Sequence, residues 1–301
     1  EIEQFVPEEY WNITAHFLRK DGQKFQAQLR RKAGKKFEMK DEAAAKQVLV
    51  DLEKAEYIVT AVKSRQRQRK PAAPYTTSTL QQDASTRLGF GAQKTMLIAQ
   101  QLYEGLELGS AGSVGLVTYI RTDSTRVAEQ AQREAANLIK NLYGPEYVPK
   151  TPPVYKSRAT AQGAHEAIRP TSVELLPDQV KEYLSRDQYR LYKLIWERFV
   201  ASQMAPALFD VLSVDIEAKD YMFRATGSTL RFAGFTKALS NYTFTEEILP
   251  PLEEGEKLKC TKLEPEQHFT SPPPRYTEAM LVKTLEELGI GRPSTYATII
   301  Q

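Results

Sequence analysis

Residues 115–124 read Gly-Leu-Val-Thr-Tyr-Ile-Arg-Thr-Asp-Ser, and two side chains in this stretch can do chemistry. The Tyr119 hydroxyl is a nucleophile and the Arg121 guanidinium is a fixed cation. The pattern predicts a short strand, Leu116-Val117, and then a helix with Asp123 or Ser124 as its N-cap. Residues two apart on a strand point the same way, so Tyr119 and Arg121 share a side just before a helix N-terminus, whose free N–H groups attract anions. A nucleophile, a cation and an anion-binding helix end at one spot suit the holding and attack of a phosphate. The decapeptide by itself equally fits a half-buried packing tyrosine with a wet hydroxyl.

A second cluster reads His165-Glu166-Ala167-Ile168-Arg169-Pro170-Thr171. In a helical turn, His165 and Arg169 share a face, while Pro170 biases Arg169 towards an extended conformation. A histidine can relay a proton and an arginine can stabilise phosphate charge. Only Glu166 lies near His165 as a second ligand, so no metal site is expected here.

The elements that must position these residues can be read from periodicity. Ile13, Ala15, Phe17 and Phe25, Ala27, Leu29 form a hairpin around Asp21-Gly22. Residues 41–56 read as a helix capped by Asp41. Tyr57 to Val62 is a strand that runs on into a basic row, Lys63, Arg65, Arg67 and Arg69, suited to a phosphate backbone. Residues 78–143 are mainly helical, with Met96, Leu97 and Leu102 as one apolar face and a longer helix over 127–142. Residues 176–204 are helical again. From Ala207 the period becomes two, with strands to Ala225 and over 258–263, and Tyr276 to Leu288 is a helix stopped at Gly289. A β-rich region interrupted by a helical block predicts a split β-domain carrying an insertion.

Composition excludes several classes. Hydrophobic residues make up 41% of the 301 and charged residues 26%, an ordinary soluble profile. No apolar run approaches the roughly 20 residues that span a bilayer, and no leader precedes the first strand, so a cytoplasmic location is expected. The single cysteine, Cys260, excludes an internal disulfide and a multi-cysteine zinc site. Charge is uneven: residues 19–70 hold 16 Lys/Arg against 7 Asp/Glu, whereas the whole chain carries only +3. Such a basic region suits a polyanion, although on charge alone a solvated face is the commoner case. The chain starts abruptly and stops inside a helical stretch, as a piece of a longer protein would.

Five segments in order along the chain give a resemblance to a known family. They are Phe5-Val6-Pro7-Glu8-Glu9-Tyr10-Trp11; Thr76 to Gln82 with Ala84 to Phe90; Thr118 to Ser124; His165 to Thr171; and Pro273-Pro274-Arg275-Tyr276 through Gly289-Ile290-Gly291-Arg292-Pro293-Ser294-Thr295-Tyr296-Ala297. Together they resemble the bacterial type IA DNA topoisomerases. The resemblance implies a mixed α and β, multidomain fold. A split antiparallel β-rich arch (12–77 with 206–235 and 252–272) carries an inserted helical tyrosine domain (78–205). Part of a helical DNA-groove domain (1–11, 236–251 and 273–301) completes it.

The resemblance also implies a mechanism. Tyr119 attacks a phosphodiester of single-stranded DNA to give a 5′-phosphotyrosine and a free 3′-hydroxyl, allowing strand passage, resealing and relaxation of negative supercoils. A free phenol ionises near pH ~10, so Arg121 is the cation that favours phenolate and transition-state charge. His165 and Arg169 hold the scissile or neighbouring phosphates. Arg292, Ser294 and Thr295 lie along the groove, where Ser294 or Thr295 also fits as a helix cap after Pro293. Gln82, Arg87 and Lys94 are weaker DNA contacts, and Asp123 caps a helix or orients Arg121. Tyr75 and Tyr296 stack on bases or fill the core. No ATP is needed, and no Gly-x-x-x-x-Gly-Lys-Ser/Thr loop is present. Complete members bind Mg²⁺ through an N-terminal Asp-x-Asp-x-Glu cluster that this sequence lacks, so the chain alone is expected to relax no supercoils. A single-stranded DNA-binding module without chemistry, or a gate hinged at the proline clusters, are the alternatives.

Overall fold

A computed structural model of the chain describes residues 1–156 and 165–300. The elements run β1 (Glu9–Leu18), β2 (Lys24–Lys32), β3 (Lys35–Lys36), α1 (Glu42–Asp51), β4 (Tyr57–Arg69), α2 (Thr77–Asp83), α3 (Ala92–Glu104), β5 (Leu106–Glu107) and β6 (Ser113–Val114). They continue through α4 (Glu129–Leu142), α5 (Pro177–Val180), α6 (Arg186–Ser202), β7 (Ala207–Ala218), β8 (Tyr221–Phe232), β9 (Lys257–Phe269), α7 (Glu278–Glu287) and α8 (Tyr296–Ile299). The chain divides into two compact units. One comprises Glu1–Gln68, Leu208–Phe232 and Phe244–Arg275, and the other Arg69–Ala207, Ala233–Thr243 and Tyr276–Gln301.

The first unit is built on one sheet in the order β1-β9-β4-β7-β8-β2-β3, with β1 also paired to β2. That extra pairing closes six strands into a ring, which removes the open edges of a flat sheet. The predicted hairpin is present: β1 and β2 pair antiparallel from Thr14↔Gln28 to Leu18↔Lys24, and Gly22 takes φ 87° in the turn. Alternation puts Ile13, Ala15, Phe17, Phe25 and Ala27 inside with Val214, Ile216 and Phe223. Phe17 meets Tyr57 edge-on at 5.3 Å. Asp41 caps α1, accepting the Ala44 N–H at 2.8 Å, but the helix ends at Asp51, five residues short of the expected Glu56. Lys54 with φ 56° lies in the turn that follows. From Lys63 onward every residue of β4 is exposed, so the basic row forms as an extended strand.

The second unit is helical. α3 buries Ala92, Thr95, Ile98, Ala99 and Leu102, whereas Leu97, expected on the apolar face, is exposed. Its 100° spacing from Ile98 takes it off the buried stripe. The expected continuous helix over 176–204 is broken. α5 ends in a 3-10 turn over 181–183, and α6 restarts at a capping box in which Ser185 and Gln188 bond each other's backbone. α2 leads directly into a π turn, Ala84–Leu88, closed by Gly89 at φ 70°. α7 packs on α2 and α3 through its carboxylates. Glu278 accepts the Ala92 N–H at 2.8 Å and Glu286 accepts the Ser78 hydroxyl at 2.8 Å.

Candidate active site

Tyr119 lies on a loop. Val117 forms a single bridge with Pro170, so the expected strand 116–117 shrinks to one residue. No helix starts at Asp123 or Ser124; residues 122–128 form no regular element and the next helix begins at Glu129 with Ala128 as N-cap. Local side chains take the backbone donors instead: Thr122 Oγ1 accepts the Ser124 N–H at 3.0 Å and Ser124 Oγ the Arg126 N–H at 3.2 Å. Asp123 is therefore no cap, and no helix begins directly after Tyr119. The inside–outside alternation survives without the strand. Val117, Ile120 and Thr122 are buried while Tyr119 and Arg121 are exposed.

Two threonines pin this loop. The hydroxyl of fully buried Thr77, at the start of α2, donates to Ile120 O at 2.7 Å and lies 3.1 Å from Thr122 O, and it accepts the Thr122 N–H at 2.9 Å. Its own N–H donates to Thr122 O at 2.9 Å. On the other flank, Thr118 Oγ1 donates to Ala167 O at 2.7 Å and accepts the Arg169 N–H at 3.0 Å, and the Thr118 N–H donates to Arg169 O at 2.9 Å. The two motifs found in the sequence are thus zipped together by the Thr118 hydroxyl and by backbone groups.

Residues 165–169 form no helical turn. Ile168 bridges Tyr75 and its N–H donates to Tyr75 O at 2.8 Å, so the segment is extended as Pro170 dictates. His165 and Tyr119 nevertheless meet, their rings 5.4 Å apart at 62°. Tyr103, a residue the sequence reading missed, lies 5.7 Å from Tyr119 at 70°. Tyr119 remains 43% exposed, so its hydroxyl is accessible to a large substrate. Arg121 is exposed and makes no ion pair among the described residues. Arg169 is half-buried: Nε donates to Glu166 at 2.8 Å and Nη1 to Pro170 O at 3.1 Å. Its Nη2 donors have no partner among the described residues.

The remaining candidates scatter. Gln82 donates to Ser78 Oγ at 2.9 Å and Arg87 pairs with Asp83 at 3.7 Å. Lys94 is taken by Asp187 at 2.7 Å. Arg292, Ser294 and Thr295 are exposed, and Thr295 Oγ1 accepts the Arg292 N–H at 2.8 Å. Thr295 holds the N-cap position of α8 but turns its hydroxyl back to that turn, and Ser294 does not cap. Tyr75 and Tyr296 are buried, which leaves neither ring free to stack on a base. Burial, and then the nearby Asp83 that accepts its hydroxyl at 2.6 Å, drive the Tyr75 phenol far above its ordinary range, so Tyr75 is no rival nucleophile. Among the described residues no group of three His, Cys, Asp or Glu can hold a metal ion. None of these described helices is long and apolar enough to cross a membrane. A cleft of about 1120 Å³ in the first unit, lined by Trp11, Phe37 and Arg31 among others, holds none of the candidates.

The fold is mixed α and β with a large antiparallel sheet and several helices, and it defines a class. A sequence model of the DNA topoisomerase family matches residues 1–301, and the chain belongs to that family. It is similar to the full-length topoisomerase I of Thermotoga maritima, with 40% identity and a TM-score of 0.81 over 99% of this chain. The match covers 47% of that protein's chain, so the present chain spans about half of its length.

Proposed function

We propose that this chain carries the nucleophile of a type IA DNA topoisomerase and that Tyr119 is that nucleophile. The observation supporting this reading is the placement of an exposed Tyr119 against His165, on a loop pinned to the Arg169 segment. Tyr119 Oη attacks phosphorus in a single-stranded DNA backbone. The Oη–P bond forms as the P–O3′ bond breaks, and the phenol proton is released as the 3′-oxygen gains one. The product is a 5′-phosphotyrosine and a 3′-hydroxyl; the reverse attack reseals the strand, so the bond energy is conserved and no ATP is consumed. Arg121 and the Nη2 of Arg169 stabilise the charge on the phosphoryl oxygens. His165 holds a neighbouring phosphate or relays the proton.

Arg292, Ser294, Thr295, Gln82 and Arg87 are proposed contacts to the flanking strand, and Asp123 a residue that orients Arg121. The full reaction is the relaxation of negatively supercoiled DNA in the cytoplasm, with Mg²⁺ supplied through an acidic cluster on an N-terminal domain. The described residues of this chain do not fit a metal site, and no step above passes through one. The test is a covalent-adduct assay. This chain is combined with the N-terminal domain of a related enzyme, Mg²⁺ and a 3′-labelled single-stranded oligonucleotide, and compared with Tyr119→Phe. An adduct seen only with tyrosine supports the reading. An adduct in both moves the nucleophile elsewhere. Salt-sensitive binding with no adduct leaves a DNA-binding module.

A further inference from the structure

Tyr103 is the penultimate residue of α3, and its backbone is fixed more tightly than its side chain requires. Its carbonyl oxygen lies against Gly115, where a Cβ would stand 2.7 Å away, so only glycine permits the approach. The Leu116 N–H donates to Leu102 O at 2.7 Å. α3 then closes on Gly105 at φ 116°, where an added Cβ would meet Ser113 Oγ at 2.9 Å. The helix end and the segment leading to Tyr119 are therefore joined on both sides of Tyr103.

The Tyr103 side chain is only partly covered. It is 39% exposed, and its hydroxyl has no hydrogen-bond partner among the described residues. Its one ring contact among the described residues is the T-shaped contact with Tyr119. Tyr103 and His165 make no ring contact with each other, so they approach Tyr119 from different directions. A ring on a rigid base, set edge-to-face against the nucleophile, restricts the torsions of that nucleophile. In-line attack on phosphorus depends steeply on such alignment, since a misplacement of about 1 Å can reduce a rate about a hundredfold.

We propose that Tyr103 is a positioning residue that sets the orientation of the Tyr119 phenol through its ring. The inference rests on the assignment of Tyr119 as nucleophile. Full-length protein with Mg²⁺ and a saturating 3′-labelled single-stranded oligonucleotide is followed in single-turnover cleavage, and oligonucleotide affinity and melting temperature are measured alongside. Tyr103→Leu slows the cleavage rate constant by about three- to tenfold, the weight of one aromatic pair, with affinity and melting temperature unchanged. Tyr103→Phe, which keeps the ring, restores the rate. Wild-type cleavage by Tyr103→Leu overturns the proposal. So does a loss confined to affinity, which makes Tyr103 a DNA contact, or an equal loss in Tyr103→Phe, which assigns the effect to the hydroxyl. An adduct formed by Tyr119→Phe instead removes the nucleophile assignment.

Discussion

The hydroxyl of Thr77 bonds the backbone on both sides of Arg121, donating to Ile120 O at 2.7 Å and accepting from the Thr122 N–H at 2.9 Å. Thr77→Val keeps the shape and removes both bonds, leaving buried backbone groups without partners. The expected loss is about 1–3 kcal/mol in urea unfolding, with Thr77→Ser close to wild type. A Thr77→Val protein as stable as wild type refutes the pinning role.

Tyr119→Phe is expected to abolish the covalent adduct while leaving the melting temperature unchanged, because the residue is 43% exposed. A clear drop in melting temperature would favour a packing role for this tyrosine.

Glu278 completes the N-terminus of α3, whose cap residue Gly91 has no side chain to offer. Glu278→Ala is expected to destabilise the protein by about 0.5–2 kcal/mol, the usual weight of a lost cap. Chemical denaturation of the two proteins under one set of conditions decides it.

Asp51 gives a pH signature. Tyr221 donates to its carboxylate at 2.5 Å, and Lys32 Nζ lies 3.6 Å away. These contacts, the Tyr221 bond first, together with a bond from Gln47, hold the Asp51 carboxyl below its ordinary range. A depressed folded value stabilises above the unfolded pKa of about 3.9 and loses that stabilisation as pH falls through the folded value. Asp51→Asn therefore lowers the denaturation midpoint at neutral pH, and its gap to wild type narrows in acid. A gap that is constant with pH contradicts the ionic origin.

The chain alone, without an acidic metal-binding domain, is expected to relax no supercoiled plasmid in the presence of Mg²⁺. Gel mobility of the plasmid after incubation is the readout, and measurable relaxation would sink the expectation.

Much of this architecture was legible because it rests on local rules. The hairpin at Asp21-Gly22 and the cap at Asp41 are signals written in adjacent residues, and Tyr119, Arg121 and His165 stood out by motif. The helix expected after Asp123 failed because Thr122 and Ser124 bond the backbone locally, which competes with helix nucleation. The expected turn at His165 failed because Tyr75, far earlier in the chain, takes the Ile168 N–H. Tyr103 went unnoticed because periodicity assigns faces along a helix, whereas its role arises where the helix ends. The clearest available signal was an aromatic residue two positions before Gly105, with Gly115 just upstream of the motif.

The closed ring of strands has a consequence for synthesis. β1 pairs with β9 from Glu9↔Phe269 to Leu18↔Lys259, joining segments far apart in the sequence. At about 5–20 residues per second, β9 leaves the ribosome roughly ten to fifty seconds after β1. The hairpin partner β2 protects one side of β1 almost at once, but the other side waits with its N–H and C=O groups unpaired. The interval before residue 269 emerges is thus the period in which β1 is most open to strands of other nascent chains.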